Sequence, residues 1–241
     1  MSAEASSRSF ALRQREPEWM DEAGVDEREL RRSLAFIRRA NALFGYTRAT
    51  LSHLQRFSRK WVPGARIEIV DLATGSADVP LAIVRWGRRR GFDVRVVGVD
   101  RHEKTIAAAC AATAGEERIR IVQGNALALP FGSGSFDYAL CSMFLHHLSD
   151  AEAEAVLRTM GQLARRGVIA ADLLRHRRAY AWISLFTLWA NPIVRHDARV
   201  SVAQAFNRDE VLGLRDRAGL GFAAYHRHFG HRFVLAGEKD R

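Results

Sequence analysis

Residues 67–80 constrain the fold of this 241-residue chain more than any other stretch. Ile67, Ile69, Val70 and Leu72 make a short β-branched, apolar run that predicts a strand. The run breaks at Ala73, Thr74, Gly75, Ser76 and Ala77. Val79, Leu81, Ala82 and Val84 then predict a helix, closed by Arg88, Arg89 and Arg90. Strand, tight turn of small residues and helix is how a mononucleotide-binding unit begins. Small side chains let the backbone approach a ligand, and the helix N-terminus offers it unpaired N–H groups. Taken alone, the stretch fits an ordinary βα turn equally well.

The next hundred residues or so repeat the alternation. Val94, Val96, Val97 and Val99 predict a second strand ending at Asp100, whose two carboxylate oxygens can accept bonds from both hydroxyls of a ribose. Residues 102–113 read as the next helix and residues 119–123 as a third strand ending in Gly124-Asn125-Ala126. A fourth strand over 138–142 runs into Phe144-Leu145-His146-His147-Leu148. Ser149 with Glu152 is a capping-box pattern, and residues 167–172 read as strand five. This alternation predicts a parallel sheet with right-handed crossovers.

The sequence resembles the class I S-adenosylmethionine-dependent methyltransferases, and within them the quinone and small-molecule branch. The resemblance rests on residues 70–78, on Val99-Asp100, on Gly124-Asn125-Ala126 with Leu129-Pro130-Phe131, and on Ser135-Phe136-Asp137 leading to Leu145-His146-His147-Leu148. It covers residues 66–172 firmly and the rest loosely. It implies a Rossmann-like α/β fold with a seven-stranded, mostly parallel sheet and an antiparallel last strand. It also implies an S-adenosylmethionine site made by Asp71, Ala73, Thr74, Gly75, Ala77, Asp78, Asp100, Arg101, Asn125, Ala126 and Ser142, with Arg48 near the cofactor's carboxylate. Two departures stand out. Ala73 and Ala77 replace the outer glycines of the family's turn, which is compatible with the fold where φ stays below zero. Asn125 replaces an Asp that accepts from the adenine amino group, and an amide oxygen can accept the same bond.

The length fits one large domain with an attached arm: residues 1–62 as an N-terminal helical arm with a disordered polar lead over residues 1–14, and residues 63–241 as the methyltransferase domain, with a lid over about 175–206. In the arm, Asp26 and Glu29 predict a capped helix with Leu30, Leu34, Ile37 and Asn41 on one face, and Leu51, Leu54 and Phe57 predict a second. Cys110 and Cys141 read as reduced core residues. Charged residues interrupt the N-terminus, so no signal peptide is expected and the location is expected to be cytoplasmic. The net charge is +10, yet only three of the 37 basic residues are lysine and no nucleic-acid motif accompanies them, so nucleic acid is not the expected partner.

Residues 180–194 hold Trp182, Phe186 and Trp189 in an apolar run too short to span a bilayer. The run suits the wall of an apolar substrate pocket or a buried core helix, with peripheral membrane contact as a further use. Arg195-His196-Asp197 and Val200-Ser201-Val202 read as a lid connection, and Asn207 with Glu210 as another capping box. Residues 222–228 and 232–236 predict a closing hairpin.

Methyl transfer from a sulfonium is an in-line displacement that needs orientation and exclusion of water. A phenolic oxygen also benefits from a base, and His147, His146 and His196 are the candidates. No metal is expected: His226, His228 and His231 lack a cysteine or carboxylate cluster, and Arg227 and Arg232 oppose a cation. The expected activity is O-methylation of a hydrophobic phenolic or polyketide-like aromatic. The alternatives are C-methylation of a quinone precursor, a non-catalytic methyltransferase-like partner protein and a nicotinamide-dependent oxidoreductase. The acceptor and the oligomeric state are not legible in the sequence.

Overall fold

The structure, a computed structural model, describes residues 12–19, 26, 28, 32, 33, 36, 45–229 and 231–240. The apolar face through Leu30, Leu34, Ile37 and Asn41 lies outside the described residues. Of that region, Asp26 accepts a bond from the Arg28 amide at 3.0 Å.

The chain alternates as predicted. After α1 (Tyr46–Phe57) come β1 (Arg66–Leu72), α2 (Asp78–Arg89), β2 (Asp93–Asp100), α3 (Glu103–Ala112) and β3 (Ile119–Gln123). The chain continues through β4 (Phe136–Ser142), α4 (Asp150–Leu163), β5 (Ala164–Leu173), α5 (Arg177–Phe186), α6 (Pro192–Gln204) and α7 (Arg208–Arg217). The hairpin of β6 (Ala224–His228) and β7 (Arg232–Glu238) closes the fold. The sheet order is β3-β2-β1-β4-β5-β7-β6. β1 to β5 pair in parallel, while β7 runs antiparallel to both β5 and β6.

Alternation along each strand divides the core in two. Val70, Leu72, Ala139 and Cys141 pack with Val156, Leu157 and Met160 of α4 and Leu214 of α7. Ile67, Ile69, Tyr138 and Leu140 face the other way, onto Leu54 and Phe57 of α1 and Ile83 and Val84 of α2. A sheet buried on both faces explains why its strands read as nearly continuous apolar runs. Both capping boxes form, at Ser149 with Glu152 and at Asn207 with Glu210.

Three departures from expectation concern the elements and the core. Residues 180–194 are not one helix: α5 ends at Phe186, and α6 starts after Asn191, whose side chain accepts from the Val194 amide, with Pro192 at its first turn. Val200, Ser201 and Val202 lie inside α6 rather than in a connection. Trp189 is 94% exposed and Leu185 70%, so neither lines a pocket nor fills a core. Third, Cys110 is exposed, and only Cys141 is a core residue.

Candidate active site

The order 3-2-1-4-5 reverses between β1 and β4, and ligands bind open α/β sheets at the carboxyl edge of that reversal. The turn after β1 stands there. The Thr74 amide donates to the Val99 carbonyl at 2.9 Å, and the Gly75 amide donates to Asp100 Oδ2 at 3.1 Å. The other Asp100 oxygen accepts from the His102 amide at 3.1 Å. Asp100 thus fixes the turn and the start of α3 while its carboxylate keeps further acceptor capacity at the edge. Gly98 permits this closeness, since a Cβ there would meet Thr74 Oγ1 at 2.8 Å.

The turn needs left-handed backbone at three residues. Ala73 has φ 54°, Gly75 φ 56° and Ala77 φ 60°. The condition that both alanines keep φ below zero does not hold: they adopt the glycine conformation and carry its steric cost, roughly 1–2 kcal/mol each. The bonds from Thr74 and Gly75 to β2 hold the turn in spite of that cost.

Asp71 lies 2% exposed beneath the turn. Its Oδ2 accepts from Thr74 Oγ1 at 2.8 Å, and its Oδ1 is buried without a partner among the described residues. Burial, with the charge of Asp100 adding and the Thr74 bond opposing, pushes its pKa up to about 7. An unpaired buried carboxylate oxygen is a place for a cation such as the ammonium of S-adenosylmethionine. Gly75 has nothing within 4 Å of where a Cβ would stand, so a ligand can approach its backbone. Both observations fit this cofactor.

The other candidate cofactor residues lie around this edge. Asp78 opens α2 and Ala126 is buried. Asn125 Oδ1 accepts from the Leu127 amide at 3.0 Å, which leaves its second lone pair for an adenine amine. Ser142 shares a 3.2 Å bond with Thr50 of α1, while Arg48 on the same helix is exposed. Arg101 is exposed and donates to His102 Nε2 at 3.0 Å.

The histidines follow β4, the strand next to the one that carries the turn. His146 is 2% exposed. Its Nδ1 lies 2.6 Å from Asp172 Oδ1, and its amide donates to Asp172 Oδ2 at 3.0 Å. Burial opposes charge on both groups. The charge of Asp172 and its bond nevertheless hold the His146 pKa above the ordinary value, and those of His146 hold Asp172 below it. His147 keeps 33% of its side chain exposed. Loss of solvent around its ring nitrogens, and then the charge of His146, push its pKa down to about 3.

Residues 12–19 form a strap that sequence reasoning missed. Arg13 and Gln14, expected in a disordered lead, are anchored. Arg13 donates to the carbonyls of Gln204 at 2.7 Å and Leu148 at 2.9 Å and covers the Phe206 ring at 3.6 Å. Farther along, Gln204 donates to the Glu16 carbonyl at 2.6 Å, Ser201 to Glu18 at 2.5 Å, and the Trp19 amide to Asp197 at 2.8 Å. The strap brings Glu18 Oε1 to 3.9 Å from both His146 Nε2 and His147 Nδ1. It also stacks Trp19 on His196, with ring centroids 4.0 Å apart. His196 therefore does not join His146 and His147; with Trp19, Tyr180 and Arg195 it lines a cavity of about 450 Å³ between strap and lid. No motif marks Glu18. Asp172 did carry a signal, as an acidic residue ending a strand like Asp71 and Asp100.

His53 was also missed. Its Nε2 lies 2.9 Å from His228 Nε2 and its ring 4.6 Å from that of His226, while His231 instead stacks on His176.

Known proteins share this organisation. A family model for a methyltransferase domain matches residues 69–167. Over 109 residues the chain is 28% identical to the ubiquinone/menaquinone biosynthesis C-methyltransferase UbiE of Rickettsia prowazekii, a match to 42% of this chain and 44% of that protein. Over 175 residues it is 24% identical to the demethylmenaquinone methyltransferase of Bacillus subtilis, covering 67% of this chain and 74% of the relative. The magnesium protoporphyrin IX methyltransferase of Synechocystis PCC 6803, solved with bound SAH, shares the fold. It has a TM-score of 0.57 at 14% identity, over 98% of this chain and 94% of that one. Residues 69–167 match a methyltransferase domain, and the strand order and the turn held by Asp100 agree with the fold that this chain shares with S-adenosylmethionine-dependent methyltransferases.

Proposed function

We propose that the chain transfers the methyl group of S-adenosylmethionine to a hydroxyl of a hydrophobic aromatic small molecule. The observation that carries this reading is the buried Asp172–His146 pair, 2.6 Å apart, on the same sheet edge as the cofactor turn. Asp71 would take the cofactor's ammonium, Asp100 its ribose and Asn125 its adenine. The bound sulfonium supplies an electrophilic methyl group.

The chain's own part is to hold the acceptor and take its proton. A phenol has a pKa near 10, so most of it is protonated at neutral pH. His147 stays neutral and presents a lone pair at the exposed side of the cluster. His146, held toward its protonated form by Asp172 and faced by Glu18, is where the proton rests. The stacked Trp19 and His196 rings give the cavity between strap and lid an aromatic wall on which a flat, hydrophobic acceptor would rest.

The test is formation of S-adenosylhomocysteine with a panel of hydrophobic phenols, with products identified by mass spectrometry. Methyl ethers are expected, with turnover rising as pH passes upward through the raised pKa of His146. Binding of the cofactor product with no methylated phenol would end the reading. A second reading, C-methylation of a quinone precursor, is favoured by the two quinone-pathway relatives. Carbon-methylated product from a demethylated quinone precursor would establish it. Turnover on neither class would favour a non-catalytic role.

A further inference from the structure

We propose that Glu18, His146 and His147 form a binding site for a divalent transition metal of the zinc class. His146 Nε2 and His147 Nδ1 each lie 3.9 Å from one atom, Glu18 Oε1. The three ligand atoms all fall within 4.8 Å of one another. Those separations are too long for hydrogen bonds. They surround a point that a cation reaches at about 2.0–2.2 Å after a contraction of a few tenths of an ångström.

Both histidines are prepared for this use. Asp172 takes the Nδ1 side of His146, which leaves Nε2 as its ligating nitrogen; carboxylate, histidine and metal in line is the usual support of such a site. His147 turns its Nδ1 toward Glu18 Oε1. Glu18 is oriented by the Ser201 hydroxyl, which donates to the same Oε1 that faces the two histidines. Two imidazoles and one carboxylate suit zinc, cobalt(II) or nickel(II) better than magnesium. The opposing charges are Arg13 and Arg101. Arg13 is spent on the carbonyls of His146 and Leu148 and on Asp150, and Arg101 is exposed beside His102. The carboxylates of Glu18 and Asp172 offset both. Any proton on His146 Nε2 is released to solvent when the metal binds.

The site ties the strap to the sheet edge and does not depend on the proposed function. One consequence does rest on it: metal and acceptor proton would compete for the same nitrogen, so zinc would inhibit and a chelator would restore turnover.

The full chain, freed of metal, is titrated with cobalt(II) and read by its visible ligand-field absorption, with zinc added in competition. One equivalent bound and displaced by zinc is expected. Glu18→Gln and His147→Ala should each weaken binding at least about tenfold, with affinity for S-adenosylhomocysteine unchanged as evidence of an intact fold. His53→Ala tests the other histidine cluster and should change nothing. Sub-stoichiometric binding by the wild type, equal binding by the Glu18 and His147 variants, or loss of binding in His53→Ala would each overturn the site.

Discussion

The two halves of the carboxyl edge are built in opposite ways. The cofactor half is local: Asp71, Thr74, Gly75 and Asp100 belong to consecutive elements and bond one another across 25 residues or fewer. The half around His146 and His147, proposed to face the acceptor, is remote: Arg13 reaches the His146 carbonyl across 133 positions, and Ser201 reaches Glu18 across 183. A local site can be written as a motif, whereas a remote one exists only once the chain has folded. Substitutions should therefore separate the halves, the first group changing cofactor affinity and the second changing turnover.

The largest effect is expected at Asp100→Ala. Two hydrogen bonds to a charged group are lost from the turn, at roughly 1.5–3 kcal/mol each, before any ribose contact is counted. Affinity for S-adenosylhomocysteine, measured by calorimetry, should fall about 100-fold or more. A change within threefold would break the comparison, because the turn would then not be the cofactor half.

Asp172→Asn tests the other side. Turnover should fall roughly 10²–10⁴-fold while affinity for S-adenosylhomocysteine stays within about threefold. The pH limb of turnover should also move to lower pH as His146 loses its partner. The pair makes stability pH-dependent in both directions. His146, with a raised pKa, stabilises fully below its ordinary value of 6.5, and that contribution is lost as pH rises through the folded value. Asp172, with a lowered pKa, stabilises above 3.8, and that is lost as pH falls. The variant should flatten both arms of a melting-temperature profile.

Arg13→Ala should loosen the strap. Its buried bonds predict a loss of about 2 kcal/mol in denaturant titration, with a higher KM for the acceptor and unchanged cofactor affinity. A smaller effect sharpens the cofactor half. If Asp71 meets an ammonium, affinity for S-adenosylhomocysteine should rise several-fold as pH passes upward through about 7, and Asp71→Asn should remove that dependence. Smallest of all, Ala73→Gly or Ala77→Gly should stabilise by about 0.5–1 kcal/mol. Relief of left-handed strain exceeds the entropy that glycine adds to the unfolded chain.

Legibility in the sequence divides along the same line. β3 falls on the residues predicted, and both capping boxes form, because strand periodicity and helix caps act over a few residues. The turn between β1 and α2 falls where the sequence puts it, but the backbone of its alanines does not follow expectation, since tertiary bonds from β2 impose a conformation that alanine disfavours alone. α6 was missed although Asn191-Pro192 announces a helix start; residues 195–202 read as a connection, whereas Val194, Val200 and Val202 are buried residues of one helix. Glu18 had no local signal at all, because its chemistry arises only against His146 and His147.

Glu18 and Trp19 are consecutive residues with different duties, one facing the histidines and the other forming a wall of the cavity. They cannot move independently. Whatever holds the Trp19 ring against His196 therefore also holds Glu18 beside His146 and His147, so one short stretch of chain sets both the cavity wall and the position of the carboxylate.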